Sequence, residues 1–245
     1  MPRFYVEDLI SYNKSIEIRG EDVNHIKNVL RLRVGEEITV CDGRGKDYIC
    51  TISDIEADLV TADITDIVSN AAELSTRIVL FQGMPKSDKL ELIIQKAVEL
   101  GVNEIVPVYT ERTVVKLDAK KESKKLERYN MIALSAAKQS GRGIIPKVSG
   151  FMTYKKALEY AKDLEMNIIP YEEAEGLSYS REIISDIKGK KSLGIFIGPE
   201  GGFAKEEVEL AQNQDIKCIT LGHRILRTET AGLAVLSIIM FEIDE

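Results

Sequence analysis

The hydrophobic pattern of the 245-residue chain changes its period near residue 70. Before that point, "EEITVCDGRGKDYICTISDIEADLVTADITDIV" alternates apolar and polar positions, as strands with one buried face do. Within it "DGRG" reads as a hairpin turn, and the polar residues at 56–58 as a second break. Several short strands with no long helix among them predict a small β-barrel. One short helix is expected in "DVNHIKNVLRL", where Val23, Ile26, Val29 and Leu30 recur at helical spacing. The stretch 69–76, "SNAAELST", has no strong periodicity and reads as a linker. Two domains follow from this, over 1–70 and 76–245.

After the linker, apolar strands alternate with amphipathic helices. "RIVLFQ" and "EIVPVY" are short apolar runs, separated by "SDKLELIIQKAVELG", a helical pattern that Gly101 ends. Residues 120–139 place Leu126, Tyr129, Ile132, Ala133 and Ala136 on one helical stripe. "LGIFIG" and "KCITLG" are further strands, followed by the helices "AKEEVELAQN" and "TETAGLAVLSIIMFE". Alternation of this kind predicts an α/β domain with a parallel sheet covered on both faces. Ligands bind such sheets beyond the carboxyl ends of the strands. The loops of interest are therefore "IGPEGGF" and "LGHRILRTETA".

Composition narrows the function classes. Net charge is −7, yet residues 112–147 hold ten Lys or Arg against three Asp or Glu, a segment of +7. A local basic face of this kind is what a phosphate backbone uses. Lys120, Lys121, Lys124, Lys125 and Lys138 lie in it with Arg112, and Arg3, Lys27, Arg31 and Arg33 form a weaker set in the barrel. The three cysteines have no C-x-x-C spacing and read as buried free thiols. The start lacks the apolar core of a signal peptide, and the longest apolar run is too short to span a bilayer, so a cytoplasmic protein is the simple expectation.

The two loops lack the common nucleotide fingerprints. Neither G-x-G-x-x-G nor G-x-x-x-x-G-K-[ST] occurs, which argues against a dehydrogenase and an ATPase. No G-x-S-x-G elbow is present. His25 and His223 stand far apart with no ligand-spaced neighbour, so no metal is expected. In "IGPEGGF", Gly201 and Gly202 permit positive φ and close approach of a ligand to backbone. A tight turn without a ligand would use the same residues. In "LGHRILRTETA", Thr228 is the expected N-cap of the last helix. Arg224 and Arg227 then project to one side, with Ile225 and Leu226 lining a pocket.

Five stretches, "HIKNVLRLRVGEEITVCDGRG", "KLELIIQKAVELGVNEIVPVYTERTV", "AAKQSGRGIIPKV", "IGPEGGF" and "LGHRILRTETA", occur in the order found in the ribosomal RNA small subunit methyltransferase E family of the SPOUT superfamily, which the chain closely resembles. The resemblance covers essentially the whole length. It implies a PUA-like β-barrel that binds RNA, followed by a SPOUT-type parallel sheet with a C-terminal trefoil knot. It also implies a homodimer, S-adenosyl-L-methionine as methyl donor with S-adenosyl-L-homocysteine as product, and methylation at N3 of a uridine in 16S rRNA within the small ribosomal subunit. The cofactor site carried over comprises Ile197, Gly198, Pro199, Glu200, Gly201 and Gly202 from one loop. Leu221, Gly222, Arg224, Ile225, Leu226 and Thr230 come from the other.

Uracil N3 is a poor nucleophile until its proton leaves, so such a site must stabilise an anionic ring with fixed positive charge. Arg227 is the first candidate for that role and Arg142, in "QSGRG", the second. Glu229 is a candidate proton acceptor, although an acid in a first helical turn also serves the helix dipole. Two alternatives stay open: a SPOUT enzyme with another RNA target, and a non-catalytic RNA-binding assembly protein.

Overall fold

The computed structural model describes residues 1–6, 11, 12 and 14–243. The chain divides into two compact units, Met1–Glu73 with Ala137–Ile145, and Leu74–Ala136 with Pro146–Glu245.

The first unit is a curled six-stranded sheet. Its strands are β1 (Arg3–Tyr5), β2 (Ser11–Tyr12), β3 (Ser15–Arg19), β4 (Glu37–Cys41), β5 (Lys46–Ile55) and β6 (Leu59–Ser69). They lie in the order β1-β4-β5-β6-β3-β2. Only the β1–β4 pair is parallel. The two long strands β5 and β6 shift register at Ile49/Cys50 and again at Ile52/Asp54. Bulges of this kind bend a strand and raise its twist, which curls the sheet around Phe4, Ile16, Ile18, Ile38, Ile52 and Val60. Among the described residues the pairings do not close into a ring, so the unit is half of a barrel rather than the complete small β-barrel expected.

The expected short helix is present with a different pitch. It starts as α1 (Glu21–Asn24) and continues as a π-helical turn, His25–Leu30. Val23 and Ile26 are buried, but the wider turn rotates Val29 and Leu30 to the surface, off the α-helical stripe. Arg31, at φ 57°, ends the element in the left-handed region.

The expected linker is well anchored. Asn70 donates to Asp47 and to the Gly141 carbonyl, and its own N–H donates to Gly45 O. Glu73 takes a bidentate hydrogen-bonded ion pair from Arg142 at 2.9 and 2.8 Å, and the N–H groups of Gly143 and Ile144 at 2.7 and 2.9 Å. Burial alone would raise the Glu73 carboxyl, but Arg142 and these amides hold it below the usual carboxylate range. The segment 137–145 thus belongs to the first unit, which boundaries drawn in sequence order did not anticipate.

The second unit is a parallel α/β layer. Its sheet contains β7 (Arg77–Gly83), β8 (Glu104–Tyr109), β9 (Lys147–Val148), β10 (Met152–Thr153), β11 (Met166–Pro170), β12 (Ser192–Ile197) and β13 (Lys217–Ile219). The order is β10-β8-β7-β12-β11-β13, with β9 also on β8, and every pairing is parallel. Its helices are α2 (Lys89–Glu99), α3 (Ala119–Ser140, the last turn from Ala137 counting with the first unit), α4 (Tyr154–Ala161), α5 (Leu177–Ser185), α6 (Lys205–Gln212) and α7 (Thr228–Ile243). β7 and β12 are buried almost end to end, as strands covered on both faces must be. Phe81 stacks on Phe196 across them at 4.4 Å. The stretch 148–190, which carried no sequence expectation, supplies β11, and this strand separates β12 from β13.

Replacing Glu73 by Gln takes a charged bidentate acceptor away from the buried Arg142 guanidinium and an anionic acceptor from the Gly143 and Ile144 amides, and should cost on the order of 3–5 kcal/mol. Because the folded carboxyl titrates below its ordinary range, its stabilisation is complete above that range and is lost as pH falls through the lowered value. Urea unfolding should therefore show a lower midpoint for Glu73→Gln at neutral pH and a shallower decline on the acid side. An unchanged midpoint would contradict this role.

Candidate functional site

The carboxyl ends of β7 and β12 lie side by side, with Gln82 in register with Ile197. Gly83 ends β7 so close to the next loop that a Cβ there would meet Pro199 at 2.7 Å. The Gly202 N–H donates to the Pro199 carbonyl at 2.9 Å, closing "GPEGG" into a tight turn with Gly202 at φ +66°. Phe203 and Ala204 are buried behind it. Glu207 accepts the Ala204 N–H at 3.0 Å and the Glu111 N–H at 2.9 Å, which fixes the turn to the start of α6.

Thr228 links this turn to the second loop. Its hydroxyl donates to the Gly198 carbonyl at 2.6 Å and accepts from Gln82 Nε2 at 2.9 Å. Gln82 also donates to Gly83 O at 3.0 Å, and its own Oε1 is buried with no hydrogen-bond partner among the described residues. Thr228 is therefore not the N-cap. It is the first residue of α7, and the Arg227 carbonyl accepts the first helical N–H groups, from Thr230 and Ala231. The hydroxyl is drawn away from the helix end because the half-buried Gly198 carbonyl and the buried Gln82 amide both need it.

A third tie crosses the loops at Lys89, the first residue of α2. Its ammonium lies 3.2 Å from Glu200 and 3.2 Å from Glu229. Both oxygens of Glu200 also accept the Lys86 N–H, at 3.0 and 3.2 Å. Desolvation opposes the charge on Lys89, but the two carboxylates outweigh it and raise its pKa. Desolvation likewise opposes the charge on Glu200, whose own N–H, the Lys86 amide and the Lys89 ammonium hold it below its ordinary range. Sequence reasoning passed over Lys89, Gln82 and Glu207. The polar Gln82 at the end of an apolar strand was the one local signal available.

The remaining expected site residues fall into distinct settings. Ile197 and Pro199 are buried, while Gly198, Gly202, Leu221, Gly222 and Leu226 are half-buried around the two loops. Glu200, Gly201, Arg224, Ile225, Arg227 and Thr230 are exposed, Ile225 to 88%. A Cβ on Gly202 or on Gly222, at φ +105°, would meet nothing within 4 Å, so backbone borders open space at both positions. A Cβ on Gly201 would instead press on the Arg112 side chain at 3.4 Å. Arg112 donates to the Gly201 carbonyl at 2.7 Å and so braces the turn. Arg142 is 2% exposed and bound to Glu73 in the first unit.

The basic residues are equally mixed. Arg3 pairs with Asp47, Lys27 donates to the carbonyls of Glu56 and Ala57, and Lys138 lies 5.8 Å over the Tyr5 ring. Arg31, Arg33, Lys120 and Lys124 are exposed. Lys121 pairs with Asp118, and Lys125 lies near Asp88 and over Tyr129. Among the described residues no group of three or more His, Cys, Asp or Glu is placed to hold a metal ion, and no helix is long and apolar enough to cross a membrane. The three cysteines are free and buried. A cavity of about 370 Å³ against α6 and β13, lined by Tyr171, Tyr179, Lys205 and Cys218 among others, includes no residue of the two loops.

The chain thus combines a parallel α/β unit, with two glycine-bearing loops at the carboxyl ends of its strands, and a curled sheet in a separate unit. Family models agree: residues 72–240 match an RNA methyltransferase domain, and residues 18–65 an RNA methyltransferase PUA domain. The chain is 37% identical to ribosomal RNA small subunit methyltransferase E of Bacillus subtilis over 250 residues, covering 100% of this chain and 98% of that one. It is 36% identical to the protein of the same name from Mesomycoplasma hyopneumoniae, covering 97% and 98%. The Neisseria gonorrhoeae ribosomal RNA small subunit methyltransferase E, solved bound to S-adenosyl methionine, superposes with a TM-score of 0.79 at 33% identity, covering 98% and 97%. The chain belongs to the ribosomal RNA small subunit methyltransferase E family.

Thr228→Val removes the hydroxyl but keeps the volume, leaving the Gly198 carbonyl without its buried donor and removing one acceptor of the Gln82 amide. The expected loss is about 1–3 kcal/mol in denaturant unfolding. A variant as stable as the wild type would mean that the tie is not needed.

Proposed function

We propose that the protein transfers a methyl group from S-adenosyl-L-methionine to N3 of a uridine in 16S rRNA of the small ribosomal subunit. The observation that carries this reading is the tie from Thr228 to Gly198, which joins two glycine-bearing loops that each border open space. The residues there fit such a cofactor. Backbone is bared at Gly202 and Gly222 without a side chain in the way, and Leu221, Ile225 and Leu226 offer apolar flanks for an adenine ring. Among the described residues the N–H groups of Leu221, Ile225 and Leu226 donate to no protein acceptor, which leaves them available to read polar edges. These two loops are also the segments that would form the trefoil knot; the support is the passage of α7 from β13, at the sheet edge, back to the end of β12, with β11 lying between those strands.

When bound, the cofactor supplies an electrophilic methyl group, and transfer leaves S-adenosyl-L-homocysteine with N3-methyluridine. The chain's own task is to stabilise the uracil ring as its N3 proton departs and to hold N3 in line with the methyl carbon. Arg227 is the group proposed to face that negative charge: it is exposed at the loop end and pairs with no carboxylate among the described residues. Arg142 is assigned a structural role instead, since its guanidinium is committed to Glu73. Arg31, Arg33, Lys120, Lys121 and Lys124 are the exposed cations proposed to meet RNA phosphates.

The same reading makes the active form a homodimer. α7 is apolar on all sides, and Ile238 and Phe241 stand 45% and 86% exposed one helical turn apart. A helix of this kind is normally covered. Charge introduced by Phe241→Glu should convert a dimer to a monomer in light scattering; a wild type that is itself monomeric at micromolar concentration would remove this part of the reading.

The test is methyl transfer from labelled cofactor to undermethylated small subunits, with the modified nucleoside mapped by mass spectrometry. N3-methyluridine at one 16S position is the expected product, and Arg227→Ala should abolish it while cofactor affinity stays within a few-fold. Cofactor binding with methylation of another RNA, or with none, would replace the assigned target.

A further inference from the structure

An ion-pair cluster joins the start of α2 to both loops. Lys89 sits where three segments meet. It leads α2 from the β7–α2 connection, and its single ammonium is equidistant, at 3.2 Å, from Glu200 in the glycine turn and Glu229 in the first turn of α7. All three side chains are partly buried, at 29%, 27% and 19% exposure, so the charges are less screened than on an open surface. Glu200 spends both oxygens on the Lys86 N–H as well, so the turn is held from two sides. Remove the ammonium and two carboxylates are left in the gap between the loops without the cation they share, Glu200 keeping only backbone amides among the described residues.

From this geometry we infer that Lys89 is a positioning residue for methyl transfer: it fixes the glycine turn relative to the arginine-bearing start of α7 by holding Glu200 and Glu229 on one ammonium, and it thereby keeps Glu229 out of the role of proton acceptor. The inference rests on the methyltransferase reading for its kinetic consequence but not for its structural one. Arg227 lies two residues before Glu229, so whatever fixes Glu229 also fixes the backbone from which Arg227 projects. A carboxylate engaged by an ammonium at 3.2 Å is tethered, with that oxygen turned to the ammonium and not to a ligand. The N3 proton then leaves to water rather than to this side chain, while the N3 electron pair forms the new bond to the methyl carbon and the pair of the broken carbon–sulfur bond stays on sulfur.

The repulsion that Lys89 suppresses provides the decisive variant. Lys89→Met alone should loosen both loops; Lys89→Met with Glu229→Gln removes the ammonium and one of the two carboxylates, and should tighten them again. Lys89→Arg preserves the charge and should behave close to wild type. Two readouts are needed. In the cofactor-free protein, trypsin cleavage after Arg224 and Arg227, followed by mass spectrometry of the released peptides, should accelerate about tenfold in Lys89→Met and return toward the wild-type rate in the double variant. In methyl transfer, Lys89→Met should lower kcat on the order of a hundredfold with a smaller change in KM for RNA, and the double variant should regain about tenfold of that loss.

Unchanged cleavage in Lys89→Met would overturn the inference whatever the protein methylates. A double variant that is slower than Lys89→Met in transfer, despite recovered loop protection, would restore Glu229 as the proton acceptor and overturn the second half. If the wild type yields no N3-methyluridine, the methyltransferase assignment fails by itself, and the cleavage measurement still decides whether Lys89 holds the loops.

Discussion

A single buried hydroxyl holds the site together. Thr228 gives its proton to the Gly198 carbonyl and takes one from Gln82, so the ends of β7, β12 and the start of α7 meet at one oxygen atom. Gln82 and Thr228 are buried and Gly198 is half-buried, so each group would be costly to leave unpaired. The consequence is geometric. β12 and β13 do not touch, since β11 lies between them, yet the loops that follow them are brought together. Backbone borders open space at Gly202 in one loop and at Gly222 in the other.

Around this neutral tie the charges are arranged in two different ways. Lys89, Glu200 and Glu229 neutralise one another in part and stiffen the loops, as does the Glu207 carboxylate through two backbone amides. Arg224 and Arg227 point outward from the second loop without a carboxylate among the described residues. Fixed charges that are already satisfied build a scaffold; fixed charges left over are those that can act on a ligand. The Arg142–Glu73 pair shows the first use at its extreme: a bidentate pair at 2% and 12% exposure, its carboxylate also accepting two backbone amides, fixes chain rather than ligand.

Much of the second unit was legible because its signals are strong. Apolar strands ending in glycine and helices with one apolar stripe fix element type without tertiary information, and "RIVLFQ", "EIVPVY" and "LGIFIG" all fall on strands. The two loops were legible as sites from strand-end position and glycine content. What escaped was tertiary. Arg142 looks like a free cation in "QSGRG" until Glu73, 69 residues earlier, is placed against it. The N-cap signature at Thr228 is genuine chemistry diverted to a stronger claim, a half-buried carbonyl and a buried amide from distant strands. The exposed Val29 and Leu30 follow from a π-helical turn that no 3.6-residue stripe describes. Lys89 could not be read at all, because both its partners are more than a hundred residues away.

The account stands or falls on whether the two tied loops form one ligand site. Hydrogen exchange measured by mass spectrometry, with and without S-adenosyl-L-methionine, tests this most directly. Simultaneous slowing of exchange across residues 198–203 and 221–227, with little change at the cavity lined by Tyr171 and Cys218, is the predicted result. Protection at only one of the loops, or at that cavity alone, would contradict it.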